Sequence, residues 1–299
     1  MAEIWTVQRA LNWTRDYLAR HDDPNPRLSA EWLLAHATGL SRIQVYAQFD
    51  RPLSPDERNT LRDGVSRRAA AEPLQYITGK AAFRHLDIVC KPPVLIPRPE
   101  TEVLVDLANE YIAAAGDGGD GRLRVLDLCT GTGCVGLAVA QENPQVTVTA
   151  VDIDPAAVAL AAENAAACDL TDRYTVHPGD VRAWTRGDAY DLVIANPPYV
   201  PTNDWDVLPR EVAGYESRTA LDGGVDGLDL ARVIVRDVVP AVARSGRACG
   251  LLMELDPRNV AQAAQLAVQL EWYQSVEVKP DLTGRERFLA CMRNRHERE

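Results

Sequence analysis

Asn196-Pro197-Pro198-Tyr199 puts an amide, two prolines and a phenol directly after an apolar run, Asp191-Leu192-Val193-Ile194-Ala195. Proline offers no N–H to a β-ladder and holds the residue before it extended, so the run reads as a strand that stops at a rigid end. On that fixed backbone Asn196 presents a carbonyl acceptor and an amide donor, and the Pro197 carbonyl is available as a second acceptor. Two fixed acceptors suit an –NH2 group with two hydrogens, and Tyr199 adds a flat apolar wall with a polar tip. The chemistry favoured is work on a planar amide or an exocyclic amine.

A second constellation is Asp127-Leu128-Cys129-Thr130-Gly131-Thr132-Gly133. Small residues and two glycines between a strand and a helix let a ligand approach the backbone closely. A dinucleotide site shows three glycines as G-x-G-x-x-G and an acidic residue about 20 positions later to bind ribose. Here Asp152 supplies the acid, which argues for a nucleoside, and the missing third glycine argues against a pyrophosphate. No Gly-Lys-Ser/Thr occurs, which excludes a P-loop. A ligand with its ribose at Asp152, its base near Asp180 and no phosphates fits S-adenosylmethionine, with the methyl sulfonium facing Asn196. The six cysteines form no Cys-x-x-Cys pair and the five histidines stand far apart, so neither a disulfide framework nor a metal site is expected.

These residues need a frame. Alternation after residue 121 predicts strands at Leu123–Leu128, Val146–Val151, Tyr174–His177, Asp191–Ala195 and Ala248–Leu255. Helices over Cys134–Asn143, Pro155–Cys168, Leu228–Val239 and Val260–Leu270 separate them. Such alternation implies an α/β fold, a mostly parallel sheet with helices on both faces, and Ser275–Val278 with Phe288–Cys291 adds a terminal antiparallel pair. Every candidate site residue then falls at the carboxyl ends of the strands, where open α/β sheets bind ligands.

Upstream, residues 1–74 read as a small helical domain. Ile4, Val7, Leu11 and Leu18 recur at helical spacing, Ser29 is the expected cap of a second helix ended by Gly39, and Ser54-Pro55-Asp56-Glu57 opens a third that runs to about Ala71. On that third helix Arg58, Arg62, Arg67 and Arg68 make a basic face, open either to a partner or to i,i+4 pairing of Asp63 with Arg67. Residues 75–96 are expected to form a β-hairpin connector, with Phe83–Val89 as one strand and Val94–Ile96 as its partner. Thr101 or a neighbour starts the helix carrying Val103, Leu104, Leu107 and Ala108. The Gly116–Gly121 run lacks the ligand spacing of a calcium loop and reads as a flexible connection, and the charged end Asn294–Glu299 is expected to fray.

At 299 residues and 46% hydrophobic the chain has an ordinary globular composition. It shows neither a basic-then-apolar leader nor an apolar stretch long enough to span a bilayer, so the expectation is a cytoplasmic protein without a membrane partner. A formal charge of −11 argues against stable nucleic-acid binding, where Lys and Arg supply most of the affinity. Residues 1–85 nevertheless carry 12 Lys and Arg against 10 Asp and Glu, while residues 86–299 carry 20 against 33. An acidic partner would meet the N-terminal part.

With these residues in place the chain resembles the class I S-adenosylmethionine-dependent methyltransferases, and among them the bacterial release factor glutamine methyltransferases. The resemblance rests on the helical N-terminal part, Glu72-Pro73-Leu74-Gln75-Tyr76-Ile77-Thr78-Gly79, Leu95-Ile96-Pro97-Arg98-Pro99-Glu100-Thr101-Glu102, Asp127–Gly133, Asn196–Tyr199 and Asp281-Leu282-Thr283-Gly284-Arg285-Glu286-Arg287. It implies a Rossmann-like methyltransferase domain over 97–299 and a substrate-recognition role for residues 1–74. The implied reaction is N5-methylation of the glutamine in the Gly-Gly-Gln motif of peptide chain release factors. By the same resemblance Cys129, Thr130, Gly131, Thr132, Gly133, Asp152, Asp180, Val181 and Asn196 hold the cofactor. Asn196, Pro197, Pro198 and Tyr199 receive the glutamine, and Asn196, Pro197 and Tyr199 carry the catalysis. Asn-Pro-Pro-Tyr alone is shared with adenine and cytosine amino-methyltransferases, and methylation of a ribosomal-protein glutamine would differ only in partner. Cys129 stands where the family commonly has glycine, and Val181 where some members have an aromatic residue.

Overall fold

The computed structural model describes residues 4–116, 122–184, 189–243 and 247–293; the Gly/Asp run beyond Gly116 and the charged end from Asn294 lie outside them. The chain divides into two compact units, Met1–Lys80 with Pro209–Tyr215, and Ala81–Leu208 with Glu216–Glu299.

The first unit is helical: α1 (Val7–Ala19), α2 (Pro26–Thr38), α3 (Arg42–Ala47), α4 (Pro55–Ala69) and α5 (Leu74–Thr78). Val7, Leu18, Leu33, Leu34, Leu61 and Ile77 form its core. α4 starts as its sequence demands: the Ser54 side chain accepts from the Glu57 N–H, the Glu57 side chain accepts from the Ser54 N–H, and Pro55 stands first. Ser29 does not cap α2. The helix begins one turn earlier at Pro26, whose fixed φ suits a first position, and the Ser29 hydroxyl donates to Asp23 at 2.9 Å. Of the two readings of the α4 arginines, the i,i+4 pairing is present: Arg67 lies 3.7 Å from Asp63. Arg68, 7% exposed, donates to Asp23 at 2.5 Å and to Glu211 at 2.7 Å, and Arg67 is paired with Glu72 at 2.6 Å.

In the second unit β1 (Lys80–Phe83) and β2 (Leu86–Val89) form a hairpin. Its strands differ from the expected ones, because the chain turns at Arg84, in left-handed backbone at φ 55°. Long-range contacts hold that turn. The Arg84 N–H donates to Glu102, and its guanidinium reaches Asp106 at 2.5 Å and Glu142 at 2.8 Å. Val94–Ile96 pairs with no strand.

The main sheet follows α6 (Glu102–Ala115). It is built from β3 (Leu123–Leu128), α7 (Cys134–Glu142), β4 (Val146–Asp152), α8 (Pro155–Ala167), β5 (Tyr174–Pro178) and β6 (Leu192–Ala195). Short helices α9 (Arg210–Ala213) and α10 (Arg218–Leu221) precede α11 (Asp229–Val233), which runs through a π-helical stretch into α12 (Val239–Val242). β7 (Cys249–Glu254), α13 (Val260–Gln269), β8 (Ser275–Pro280) and β9 (Glu286–Arg293) complete it. The strand order is β5-β4-β3-β6-β7-β9-β8, parallel except for β9, which runs antiparallel to both β7 and β8. This is the expected Rossmann-like class I methyltransferase sheet.

Helices α6, α7 and α8 cover one face and α11, α12 and α13 the other, each over its own apolar cluster. The chain leaves the centre in one direction through β3, β4 and β5 and in the other through β6 and β7. The order therefore reverses between β3 and β6, and a crevice opens beyond their carboxyl ends. Cys129 and Asn196 follow directly on those two ends. Among the described residues no helix is long and apolar enough to cross a membrane.

Candidate active site

The turn after β3 is held from below. Asp127, 3% exposed, accepts from the Thr130 hydroxyl at 2.5 Å and from the Gly136 N–H at 3.2 Å; Thr130 Oγ1 also meets the Tyr174 hydroxyl at 2.9 Å. Burial pushes the Asp127 carboxyl up to about 7, against the pull of those two hydrogen bonds. Gly133 has φ 83°, and a Cβ there would lie 2.8 Å from the Tyr174 hydroxyl, so glycine is required by both conformation and space. Cys129 adopts left-handed backbone at φ 59°. Gly131, at φ 57°, would direct a Cβ into open space, and its N–H donates to Asp152 at 2.9 Å. The other Asp152 oxygen accepts the Asp154 N–H at 2.9 Å, so one carboxylate ties together the turns after β3 and β4. Burial raises the Asp152 pKa.

Cys129, Gly131, Asp152, Asp180, Val181, Asn196 and Pro198 line one crevice, together with Val94, Leu95, Ile153 and Ser217. Its charged lining is Asp152, Asp154, Asp180 and Asp222 against Arg182, which is itself 3.5 Å from Asp180. A lining so acidic repels phosphates and attracts a cation, and its apolar part suits a purine and a thioether-like chain. The residues present therefore fit the S-adenosyl cofactor, whose sulfonium is positive.

Asn196 borders both this crevice and a smaller adjoining hollow lined by Pro97, Arg98, Thr101, Thr130 and Thr132. Its Nδ2 donates to Thr101 Oγ1 at 3.5 Å, which leaves Oδ1 as the end of the amide open to a ligand. Pro197 is buried behind it. Downstream, Val200 donates to the Leu221 carbonyl at 2.9 Å and accepts from Gly223 at 2.8 Å, and the Tyr199 carbonyl accepts from Asn259 at 3.5 Å. Burial pushes the Tyr199 phenol well up, so it stays protonated. On the rim, Arg98 donates through Nη2 to both oxygens of the buried Glu216, at 2.7 and 2.6 Å.

Of the residues singled out in the sequence, Gly133, Pro197 and Tyr199 line neither hollow; they shape the walls behind. Thr130 and Thr132 serve the turn as well as the smaller hollow, and the Thr132 carbonyl accepts from Asn164 at 2.9 Å. Sequence reasoning missed Val94 and Leu95 as crevice lining, the Arg98–Glu216 pair and the Thr101 contact with Asn196. It also missed Glu254, fully buried at the end of β7. A lone glutamate closing the apolar run Cys249-Gly250-Leu251-Leu252-Met253 was the readable signal.

Residues 9–79 match the PrmC N-terminal domain family and residues 88–210 the methyltransferase small domain family. A release factor glutamine methyltransferase of Geobacter sulfurreducens is 45% identical over 78% of this chain and 79% of its own. One of Rhodopirellula baltica is 36% identical over 97% of both chains, and one of Deinococcus radiodurans 38% identical over 92% and 94%. Among solved structures, the hMettl16 catalytic domain in complex with MAT2A 3'UTR hairpin 1 superposes with a TM-score of 0.54 at 15% identity, over 83% of this chain and 84% of that one. That likeness speaks for the fold alone. Sequence identity on this scale over nearly the whole length, joined to a strand-end Asn-Pro-Pro-Tyr beside an acidic crevice, identifies the chain as a member of the release factor glutamine methyltransferase family.

Proposed function

We propose that the protein transfers a methyl group from S-adenosylmethionine to the side-chain amide nitrogen of the Gly-Gly-Gln glutamine in peptide chain release factors, its cytoplasmic partners. The observation that carries this reading is the position of Asn196, on the border between the two hollows with Nδ2 engaged by Thr101 and Oδ1 open.

When bound, the cofactor supplies an electrophilic methyl group on a positive sulfur. Asp152 and Asp180 would hold its ribose and base ends, with Val181 against the ring and Cys129 and Gly131 along the chain between. Asn196, Pro197, Pro198 and Tyr199 would receive the glutamine. An amide nitrogen is a poor nucleophile because its lone pair is shared with the carbonyl, so orientation and charge stabilisation must come from the protein. Asn196 Oδ1 and the Pro197 carbonyl accept the two amide hydrogens, and both bonds strengthen as the nitrogen becomes cationic. Tyr199, kept neutral, walls the site without competing for the proton. Residues 1–74, followed in the chain by the connector 75–96, recognise the body of the release factor, and 97–299 carry out the transfer.

Mass spectrometry of a purified release factor after incubation with the protein and S-adenosylmethionine tests the reading. One methyl added to the glutamine of the Gly-Gly-Gln peptide is expected. An unmodified peptide, with cofactor binding confirmed, would overturn it.

A further inference from the structure

We propose that Glu254 is a positioning residue for methyl transfer: acting through the Thr101 hydroxyl, it decides which end of the Asn196 amide faces the substrate. The inference rests on the role of Asn196 proposed above and adds the group that sets its orientation.

An asparagine amide can present either an acceptor or a donor, and the two orientations have nearly the same shape. Here only the acceptor end serves a substrate –NH2. Nδ2 is turned away because Thr101 Oγ1 accepts from it, at 3.5 Å. A hydroxyl would equally well donate to Oδ1 and turn the amide round, so something must draw the Thr101 proton to the other side. Thr101 does not spend its hydroxyl on its own helix. It stands at the start of α6 in helical backbone and makes no side-chain cap, and it is 2% exposed, out of reach of bulk water.

Glu254 is the buried acceptor beside Asn196. The β6–β7 register ends with Ala195 beside Met253, which sets the next residues, Asn196 and Glu254, side by side at the strand ends. The glutamate is 0% exposed, and among the described residues neither carboxyl oxygen has a hydrogen-bond partner. Burial raises the Glu254 pKa, and the Thr101 and Tyr199 hydroxyls pull against it, as does Arg287, whose Nη1 lies 3.6 Å from Oε1. A buried carboxyl with unused acceptor capacity is costly unless it holds something. A small approach of the Thr101 hydroxyl would let the carboxylate take its proton, satisfying one oxygen and leaving the Thr101 lone pairs for Asn196. Arg287, shared with Asp281 at 3.5 Å, supplies a countercharge from β9.

The test compares wild type, Glu254→Gln, Thr101→Val, Thr101→Ser and the double variant Glu254→Gln/Thr101→Val. It reads kcat and KM for a release factor, the Kd for S-adenosylmethionine by calorimetry, and Tm. Gln in place of Glu keeps the shape but can donate to Thr101 and reverse its hydroxyl; Val removes the hydroxyl at equal volume. Glu254→Gln and Thr101→Val should each lower kcat roughly tenfold, as for one lost hydrogen bond, with KM and cofactor Kd within about twofold. Thr101→Ser should restore kcat, and the double variant should fall no further than the worse single one. Unchanged kcat in Glu254→Gln, additive losses in the double variant, or a Thr101→Ser as slow as Thr101→Val would each overturn the proposal. Should Glu254→Gln fail to fold, the Val and Ser variants decide alone. Failure of the underlying reaction is a separate result, since the wild type would then leave the glutamine unmodified.

Discussion

Asp152 receives the Gly131 N–H through one carboxylate oxygen and the Asp154 N–H through the other, both at 2.9 Å, so the residue proposed to meet a ribose also fastens the turns after β3 and β4. Asp152→Ala removes a charged acceptor and leaves the Gly131 and Asp154 N–H groups without their partner. S-adenosylmethionine affinity should drop by about 10- to 100-fold, the scale of a lost hydrogen bond to a charged group, when measured by isothermal calorimetry. Affinity within twofold of wild type would show that the carboxylate plays no part in holding the cofactor.

Asn196→Ala separates binding from turnover. Removing one preorganised hydrogen-bond partner at a site of developing charge typically costs ~10²–10³ in rate. Single-turnover methylation should slow by that factor while cofactor affinity changes only a few-fold, because the other crevice residues are untouched. Equal activity in this variant would remove Asn196 from the mechanism.

Gly227 guards the same tetrapeptide from outside. It has φ 76°, and a Cβ there would lie 2.2 Å from the Tyr199 carbonyl oxygen. Gly227→Ala must therefore displace the backbone at Tyr199 or strain its own, and destabilisation of more than about 1 kcal/mol is expected. Methylation should fall further than stability alone explains, which chemical denaturation and a rate measurement below the melting range would show together.

Asp127 makes a pH prediction. Its carboxyl is raised from 3.8 to about 7 by burial, so the folded protein holds this proton over a range in which the unfolded chain releases it. The resulting stabilisation is full below about pH 4, declines as pH rises towards 7, and is absent above that. The contribution is at most on the order of 4 kcal/mol. Asp127→Asn should flatten the urea-unfolding stability profile between pH 4 and 7 relative to wild type; a parallel profile would show that Asp127 titrates normally.

The order and type of the main elements were legible because each is signalled locally. Strands β3, β6 and β7 are short apolar runs, β4 ends at Asp152 and β5 at Pro178, and α8 opens on the capping pair Asp154-Pro155. Ser29 and the hairpin misled for one reason: both depend on partners far along the chain or on a competing local signal. Arg84 turns where it does because Glu102, Asp106 and Glu142 hold it there. Pro26 opens α2 before Ser29 can cap it.

By itself the sequence determined the α/β frame, the rigid strand end at Asn196 and the nucleoside-sized turn around Gly131 and Asp152, because proline, glycine and the alternation of apolar residues act within a few positions of themselves. Only the tertiary structure decided which way the Asn196 amide points, that Arg98 is held by Glu216, and that Glu254 lies beneath the site. Those relations join residues far apart in the chain, such as Arg98 with Glu216 and the ends of β6 and β7, and no local propensity encodes which segments become neighbours.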